Sequence, residues 1–355
     1  MHSHLKSIAH SLIIAVSTLA LWPAPMVFAA DPQQLTVLTW SEYMDPKLVR
    51  KFEAQYKARV KFVYFESDEL RDDMLLNTDV GYDVICANGR SIKRYVRRNW
   101  LAPITVQDVP NKIHIDPHWA GAFPNTKEYA VPFFWGTVGI AYRKDLVKTP
   151  ITSWKQLLNP DKELQNKIVM VKDSRDLMAV ALKSRDLSIN TTDKKALDNA
   201  EALLLAQRPY VKDYSYVSLT KESSLVKGSA YAALAYSGDA LMLAEHNENI
   251  TYVVPKEGTN IWIDYLVVSK ASKRKKLAMD FINFLNQPKN AAQLAQFLYY
   301  ATPNRAAEKL LPREFLADPV IYPDKMLINK SEFYHELPPR TQKRYNSILP
   351  RVVGE

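Results

Sequence analysis

The order of apolar runs along this chain predicts an α/β protein of two domains, and three observations carry the prediction. From residue 35 onward, strand-like runs alternate with runs of helical spacing, which argues for a sheet covered by helices on both faces. A chain of 355 residues is long enough to build two cores. The run Ala130-Val131-Pro132-Phe133-Phe134-Trp135-Gly136-Thr137-Val138-Gly139-Ile140-Ala141-Tyr142 is extended, aromatic and interrupted by small residues, as a chain passing from one domain into another would be.

The first residues differ in kind from the rest. Lys6 is followed by an uncharged apolar run from Leu12 to Trp22, then Pro23, Pro25 and a small-residue site at Val27-Phe28-Ala29. This is the pattern of a secretory signal peptide over residues 1–29, cleaved after Ala29. The run is too short to span a bilayer, and no cysteine stands at the cleavage site to take a lipid. The mature chain is therefore expected free in the periplasm. Removing residues 1–29 takes one Lys and no acid from 47 basic and 38 acidic residues, leaving 46 against 38 and a balance of +8. Export lowers the value of that balance as a nucleic-acid signal, and none is expected as a partner. It suits a membrane face or an acidic partner equally. The single cysteine, Cys86, lies in the apolar run Val84-Ile85-Cys86-Ala87 and reads as a buried structural thiol.

The mature chain opens with a strand, Leu35 to Trp40, and a helix that Asp45 caps with Pro46 at its first position. Leu48, Val49, Phe52 and Tyr56 recur there at helical spacing. A strand at Val60–Phe65, a helix at Leu70–Leu76 and a strand at Tyr82–Ala87 follow. The helix expected over Ile92–Asn99 turns Ile92, Tyr95 and Val96 inward and Lys93, Arg94, Arg97 and Arg98 to solvent. Beyond the crossing run, Ser153 caps a short helix, Lys167–Val171 is a strand, and Thr192-Asp193 opens an amphipathic helix reaching Gln207. Ala230–Tyr236 is a strand with a helix from Ala240. The strand at 260–268 precedes helices at 278–286 and 291–299, and Thr302-Pro303-Asn304 breaks them. The last forty residues are Pro-rich, basic and only partly helical.

The functional residues gather at strand ends, where α/β sheets bind ligands. In Asn260-Ile261-Trp262-Ile263-Asp264 the strand period puts Trp262 and Asp264 on one face and Ile261, Ile263 and Tyr265 on the other. An indole face attracts an organic cation by about 0.5 to 2 kcal/mol, and a carboxylate adds a charge-assisted hydrogen bond. Trp40, Glu42 and Tyr43 follow the first strand. Asp173 and Asp176 stand three apart at a helix start, where Asp173 suits an N-cap and Asp176 the helix dipole; capping by one is compatible with ligand binding by the other. Tyr236-Ser237-Gly238-Asp239 gives another aromatic and acid, with Gly238 permitting close approach and Asp239 also readable as the next N-cap. Together with Tyr300, one chemistry recurs at five places. Aromatic walls with carboxylates spaced along them fit an elongated molecule carrying several ammonium groups, a polyamine.

Catalytic readings find little support. No G-x-S-x-G, P-loop or G-x-G-x-x-G motif occurs among nine glycines. Pro117 separates His114 from His118, so the pair does not share a helical face suited to zinc. Paired acids and aromatic platforms also suit a glycosidase, but nothing distinguishes two opposed carboxylates. No catalytic residue, metal ligand or cofactor is assigned.

With these residues in view, the chain resembles the periplasmic spermidine/putrescine-binding proteins through nearly all of its mature length. The marks are Trp40-Ser41-Glu42-Tyr43, Pro132-Phe133-Phe134-Trp135-Gly136, Ser237-Gly238-Asp239, Trp262-Ile263-Asp264 and Tyr300-Ala301-Thr302-Pro303-Asn304. The resemblance implies a two-lobe periplasmic binding protein of type II, with crossing hinge strands and a ligand cleft between α/β lobes. It places lobe 1 at 30–135 plus 264–305 and lobe 2 at 136–263 plus 306–355. Trp40, Tyr43, Trp262 and Tyr300 would box the methylene chain, Asp264 and Asp239 would meet amines, and Asp173 with Asp176 would hold the far amine. Tyr236 sits where many members have Trp. Asn88 is counted among the ligand contacts, although its loop, Ala87-Asn88-Gly89-Arg90, stands where the family usually shows Pro-Ser-x-Tyr. An Arg near an amine subsite repels it, so Arg90 must point outward, pair with an acid or mark an altered ligand. A Gln of some members aligns loosely with Tyr334. The implied function is a polyamine receptor, expected as a monomer, that serves an inner-membrane ABC permease; the alternative is a sensor signalling through a membrane receptor.

Overall fold

The computed structural model describes residues 33–76 and 81–354; the segment expected to be a signal peptide lies outside the described residues. In chain order the first elements are β1 (Gln33–Thr39), α1 (Pro46–Tyr56), β2 (Ala58–Tyr64), α2 (Asp68–Leu76), β3 (Val84–Asn88), α3 (Gly89–Arg97), β4 (Leu101–Ala102), α4 (Pro117–Ala120) and α5 (Thr126–Tyr129). The crossing strand is β5 (Ala130–Arg143), followed by α6 (Trp154–Leu158), β6 (Ile168–Met170), α7 (Ser174–Lys183), α8 (Lys194–Gln207), β7 (Val211–Tyr214), β8 (Ala232–Tyr236), α9 (Ser237–His246) and β9 (Ile250–Val253). The chain closes with β10 (Ile261–Ser269), α10 (Lys275–Leu285), α11 (Pro288–Leu298), α12 (Arg305–Glu308), α13 (Arg313–Ala317), α14 (Lys325–Lys330) and α15 (Pro339–Val353).

Local chemistry sets most helix starts. The Asp45 carboxylate accepts from Lys47 N at 2.8 Å with Pro46 at the first position of α1. Ser153 and Gln156 form a reciprocal capping box on α6. Helices α2, α10 and α11 begin two or three residues before the expected starts, and two further differences bear on the site. Helix α3 begins at Gly89, three residues early, because the Asn88 side chain accepts from Ser91 N at 3.0 Å. Helix α9 begins at Ser237 and not Ala240, with Tyr236 in the cap position and Asp239 inside the first turn. Asp239 does not cap, because its carboxylate is taken by tyrosine hydroxyls described below.

Among the described residues ten strands form one hydrogen-bonded sheet, eight of them on the path β2-β1-β3-β10-β5-β8-β6-β7 and two off it, β4 on β10 and β9 on β5. Strand β5 divides that path into two sheets. Its residues 130–137 pair antiparallel with β10, and from Val138 it pairs with β8 and β9 instead. Every residue of this strand is buried, as a strand joining two covered sheets must be.

The first sheet carries α1, α3, α10 and α11 around a core that includes Phe52, Ile92, Tyr265, Phe281 and Phe284. In the second sheet β8 shows the strand period directly: Ala232 and Leu234 join the core formed with α6, α7, α8 and α15, while Ala233 and Ala235 join a smaller core under α9. The tail divides between the two sheets. Ala307, Leu311, Phe315 and Ile321, expected in the second lobe, pack in the first core, whereas Leu337, Tyr345, Ile348 and Val352 pack in the second. The chain therefore passes between the cores a third time, between 321 and 337, where Glu332 bridges to Asn260.

Trp262 packs against both large cores. Room for its ring comes from Gly136, its register partner on β5, where an added Cβ would lie 2.6 Å from the indole. Gly136→Ala is expected to lower stability by about 1 to 3 kcal/mol, the usual cost of overpacking. Urea unfolding checks this, and an unchanged midpoint would show that the indole shifts freely.

Candidate functional site

Five chain segments end at the seam where β5 changes sheets. In parallel strands the carboxyl ends fall together, so β1 delivers Trp40 and Tyr43 beside the end of β3. Strand β10 runs antiparallel, and its start lies against that same end: Asp264 is in register with Asn88. In the second sheet β6 and β8 are parallel and deliver Asp173 and Tyr236 from one edge.

Asp264 is buried, at 8% exposure. Burial and the nearby Asp68 carboxylate push its pKa up to about 6, against the opposing pull of Arg71, Tyr43 and Trp40. The Tyr43 hydroxyl is buried beside it without completing a hydrogen bond in the protein. Trp40 packs on Phe65 with ring centroids 4.4 Å apart, and Tyr43 lies edge-on to Tyr300 at 6.1 Å.

Asp239 holds the middle. Tyr300 donates to its Oδ1 at 2.7 Å and Tyr216 donates to its Oδ2. Burial raises its pKa to about 6 despite both donors. The Trp262 indole stands perpendicular to the Tyr300 ring at 4.7 Å and nearly so to Tyr236 at 6.2 Å, the edge-to-face arrangement that aromatic quadrupoles favour. The Trp262 Nε1–H is buried without a partner in the protein. Gly238 makes the cluster possible, since a Cβ there would lie 2.5 Å from the Tyr300 ring and 2.6 Å from the Leu298 carbonyl.

At the far end Asp173 caps α7 as its sequence position predicts, accepting from Arg175 N at 2.7 Å and Asp176 N at 3.0 Å. Asp176 accepts from Tyr236 at 3.0 Å and from Tyr334 at 2.6 Å. Burial, and then the Asp173 charge, push its pKa up to about 7. Arg90 enters this end and pairs with an acid: it donates to Asp68 Oδ2 at 2.6 Å. Asn88, half-buried, donates to the same oxygen. Although burial opposes ionisation, Arg71 and Arg90 hold the Asp68 carboxyl well below its usual range.

Of the eleven residues expected in the site, ten meet in this aromatic and acidic cluster. Glu42 stands apart, exposed on a left-handed turn residue with φ of 55°; its charge reaches the Tyr216 hydroxyl. Three contributors lie outside the expected site residues, and of these the family resemblance marks only Tyr334, by its loose alignment with a Gln of some members. Tyr216 comes from a stretch without regular structure that no pattern marks. Tyr334 enters on the third passage between the cores, which no periodicity announces. Asp68 had a signal, the i,i+3 spacing to Arg71 at a helix start. Cys86 is fully buried and its thiol is pushed far up by burial, as a structural role requires.

Two α/β sheets joined by crossing strands, with a polar and aromatic cluster at the seam, define a two-lobe solute-binding protein. The chain belongs to the bacterial extracellular solute-binding protein family, whose profile matches residues 47–321. It is similar to a putrescine-binding periplasmic protein of Pseudomonas aeruginosa, 29% identical over 92% of this chain and 93% of the relative. A norspermidine sensor of Vibrio cholerae is 30% identical over 83% of this chain and 82% of its own. Among solved structures, a spermidine/putrescine ABC transporter substrate-binding protein of Streptococcus pneumoniae superposes with a TM-score of 0.78 at 27% identity, covering 90% of this chain and 98% of that one. Among the described residues, no helix is long and apolar enough to cross a membrane.

The raised carboxylates set a pH dependence. Between the ordinary Asp value of about 3.9 and the folded values of about 6 to 7, the folded state keeps protons that the unfolded chain has released. These groups therefore add stability as pH falls through that window and lose it as pH rises. Denaturant unfolding of the ligand-free protein from pH 7 to pH 5 should show Asp239→Asn gaining less than the parent on acidification. Identical slopes would mean that Asp239 is ionised throughout.

Proposed function

We propose that this chain is a periplasmic polyamine receptor that closes on its ligand by a hinge and delivers it to an ATP-driven permease of the inner membrane. One observation carries the reading: three buried carboxylates, Asp264, Asp239 and Asp176, are strung through a single aromatic cluster with Trp262 between them. Buried carboxylates are costly unless a counter-charge meets them, and ammonium groups spaced along an apolar chain match both the charges and the walls. The tyrosines leave capacity for them. A carboxylate offers about four lone-pair sites, and Asp239 and Asp176 each accept two hydroxyls.

The names of the similar proteins support the class of ligand. We place the hinge at the two crossings near 135–137 of β5 and 261–263 of β10, with the segment 322–336 as a third link. The protein binds without chemistry in this reading. Reporting polyamine to a membrane receptor is the second reading, favoured by the likeness to the Vibrio cholerae sensor. Uptake of labelled polyamine by a strain lacking this chain separates the two: uptake is lost if it delivers and intact if it reports.

Thermal unfolding against diamines, triamines and tetramines, with sugars and amino acids as controls, tests the class. A ligand that binds only the folded state adds about 2.7 kcal/mol at a hundredfold excess over Kd. Stabilisation by a polyamine and by none of the controls is expected; equal response to sugars would overturn the reading. In titration calorimetry Asp239→Asn and Asp264→Asn should each cost about 2 to 5 kcal/mol of binding, the range for truncating one side of a buried charge pair. Affinity unchanged in both would remove these carboxylates from the site.

A further inference from the structure

We propose that the end of the first sheet remote from the aromatic and acidic cluster is a docking surface for a bilayer that presents anionic phosphate headgroups. The inference does not depend on the identity of the ligand. Strand β10 begins beside the cluster, where Asp264 is in register with Asn88, and runs away from it past Val268, in register with the start of β3 at Val84. Beyond its end the chain reads Lys270-Ala271-Ser272-Lys273-Arg274-Lys275-Lys276, and all five cations are exposed. Lys270 N donates to the Trp100 carbonyl at 2.7 Å and its ammonium donates to Asn99. That contact adds exposed Arg98, whose guanidinium lies over the Trp100 ring at 4.8 Å, to the same surface.

These cations are poorly compensated. Lys276 pairs with Asp280 and also acts on Asp108. Arg274 stands 4.0 Å from Asp83, a buried carboxylate that already accepts from Thr36 N at 2.8 Å and Ser272 Oγ at 2.6 Å. Among the described residues no carboxylate pairs with Arg98, Lys270, Lys273 or Lys275. The run also works against its own helix. Helix α10 opens with Arg274 in the cap position, without a side-chain cap bond and with no acid in its first turn, and Lys275 and Lys276 stand where the helix dipole disfavours positive charge. Helices α1, α7, α8 and α14 open instead on aspartate caps. A local rule broken at a cost in stability marks residues kept for another purpose. Four lysines stand here with two arginines, whereas contacts between proteins are depleted in Lys and enriched in Arg and aromatic residues. A cluster of about four to eight Lys and Arg suits a plane of anionic headgroups. Adsorption through this end leaves the ligand cluster, at the other end of the sheet, uncovered.

Co-sedimentation of the whole mature protein with vesicles of phosphatidylcholine alone, and of phosphatidylcholine with an equal part of phosphatidylglycerol, tests this. Adsorption to the anionic vesicles only is expected, lost at about 1 M salt where the Debye length is about 3 Å. Each Lys or Arg near an anionic surface strengthens adsorption by about fivefold, so Lys273→Glu/Lys275→Glu should bind at least about tenfold more weakly. Its thermal unfolding midpoint should not fall, since Lys275→Glu puts an acid in the first turn of α10. The neutral variant Lys270→Gln/Lys273→Gln/Lys275→Gln should lose about tenfold or more as well, and it stands in for a charge-reversed protein that does not fold. Lys162→Glu/Lys212→Glu makes the same change in net charge on exposed residues elsewhere and should stay within about threefold of the parent. No adsorption to anionic vesicles at low salt, or an equal loss in both charge-reversed variants, overturns the inference. So does retention on soluble poly-glutamate without adsorption to vesicles, which assigns the surface to an acidic protein.

Discussion

Three aspartates taken out of water at the place where one strand changes sheets set the terms for the rest of the molecule. A carboxylate in such a place is neutralised by a proton, satisfied by hydrogen-bond donors or met by a cation. This protein uses the first two in part: burial raises all three pKa values, and four tyrosine hydroxyls bond two of the acids. Neither measure is complete. A hydroxyl brings a dipole and no net charge, so the desolvation cost of each ionised acid is only partly offset. That residual cost would become available as binding free energy to the cation proposed above.

The topology explains how acids from distant segments share one seam. Parallel β1 and β3 in the first sheet, and β6 and β8 in the second, turn their carboxyl ends to the same region, while antiparallel β10 contributes its beginning. Long β5 spans the seam and holds the two sheets in register. Side chains on both sheets then meet with little intervening backbone: Tyr300, beyond α11 and in the first core, bonds Asp239 on α9 of the second sheet. Contacts of this kind tie the two sheets together. Tyr299 bonds Glu245 nearby, and Arg97 on α3 pairs with Glu336 at 2.6 Å beyond the third passage. These exposed pairs contribute little singly, whereas the buried tyrosine bonds lie in the low-dielectric seam, where hydrogen bonds are stronger.

Much of this was legible in the residues. The alternation of strands and helices, the crossing run at 130–142 and the shared face of Trp262 and Asp264 all follow from short-range periodicity, and the structure repeats them. Legibility failed where long-range packing decides. Asp239 had the look of an N-cap, yet α9 starts at Ser237 because two tyrosines from elsewhere claim the carboxylate. Asn88 and Arg90 were read as a loop, yet the Asn88 cap draws them into α3 and aims Arg90 at Asp68. Tyr216 and Tyr334 lie in stretches without periodicity, and only the tertiary fold brings their hydroxyls to the acids. Local rules find residues at strand ends; they are silent about partners that arrive across the seam.

A formal charge of +9 poses the last question, how a basic chain would attract the cation proposed above. Screening answers most of it. At physiological ionic strength the Debye length is about 8 Å, so exposed lysines and arginines away from the seam contribute little inside it. Several of the nearest are also already spent: Arg94 pairs with Asp72, Arg97 with Glu336 and Lys183 with Glu332. What counts at the seam is the local inventory, in which Asp239 has only tyrosine hydroxyls and no cation for partners, Asp264 is likewise a desolvated acid, and Asp68 is paired with Arg71 and Arg90. The acids near Arg90 are thus partly neutralised by fixed cations, whereas those around Trp262 are met by hydroxyls. Basic residues distributed over the outside do not reverse that local balance, because low dielectric at the seam magnifies near charges while solvent removes distant ones.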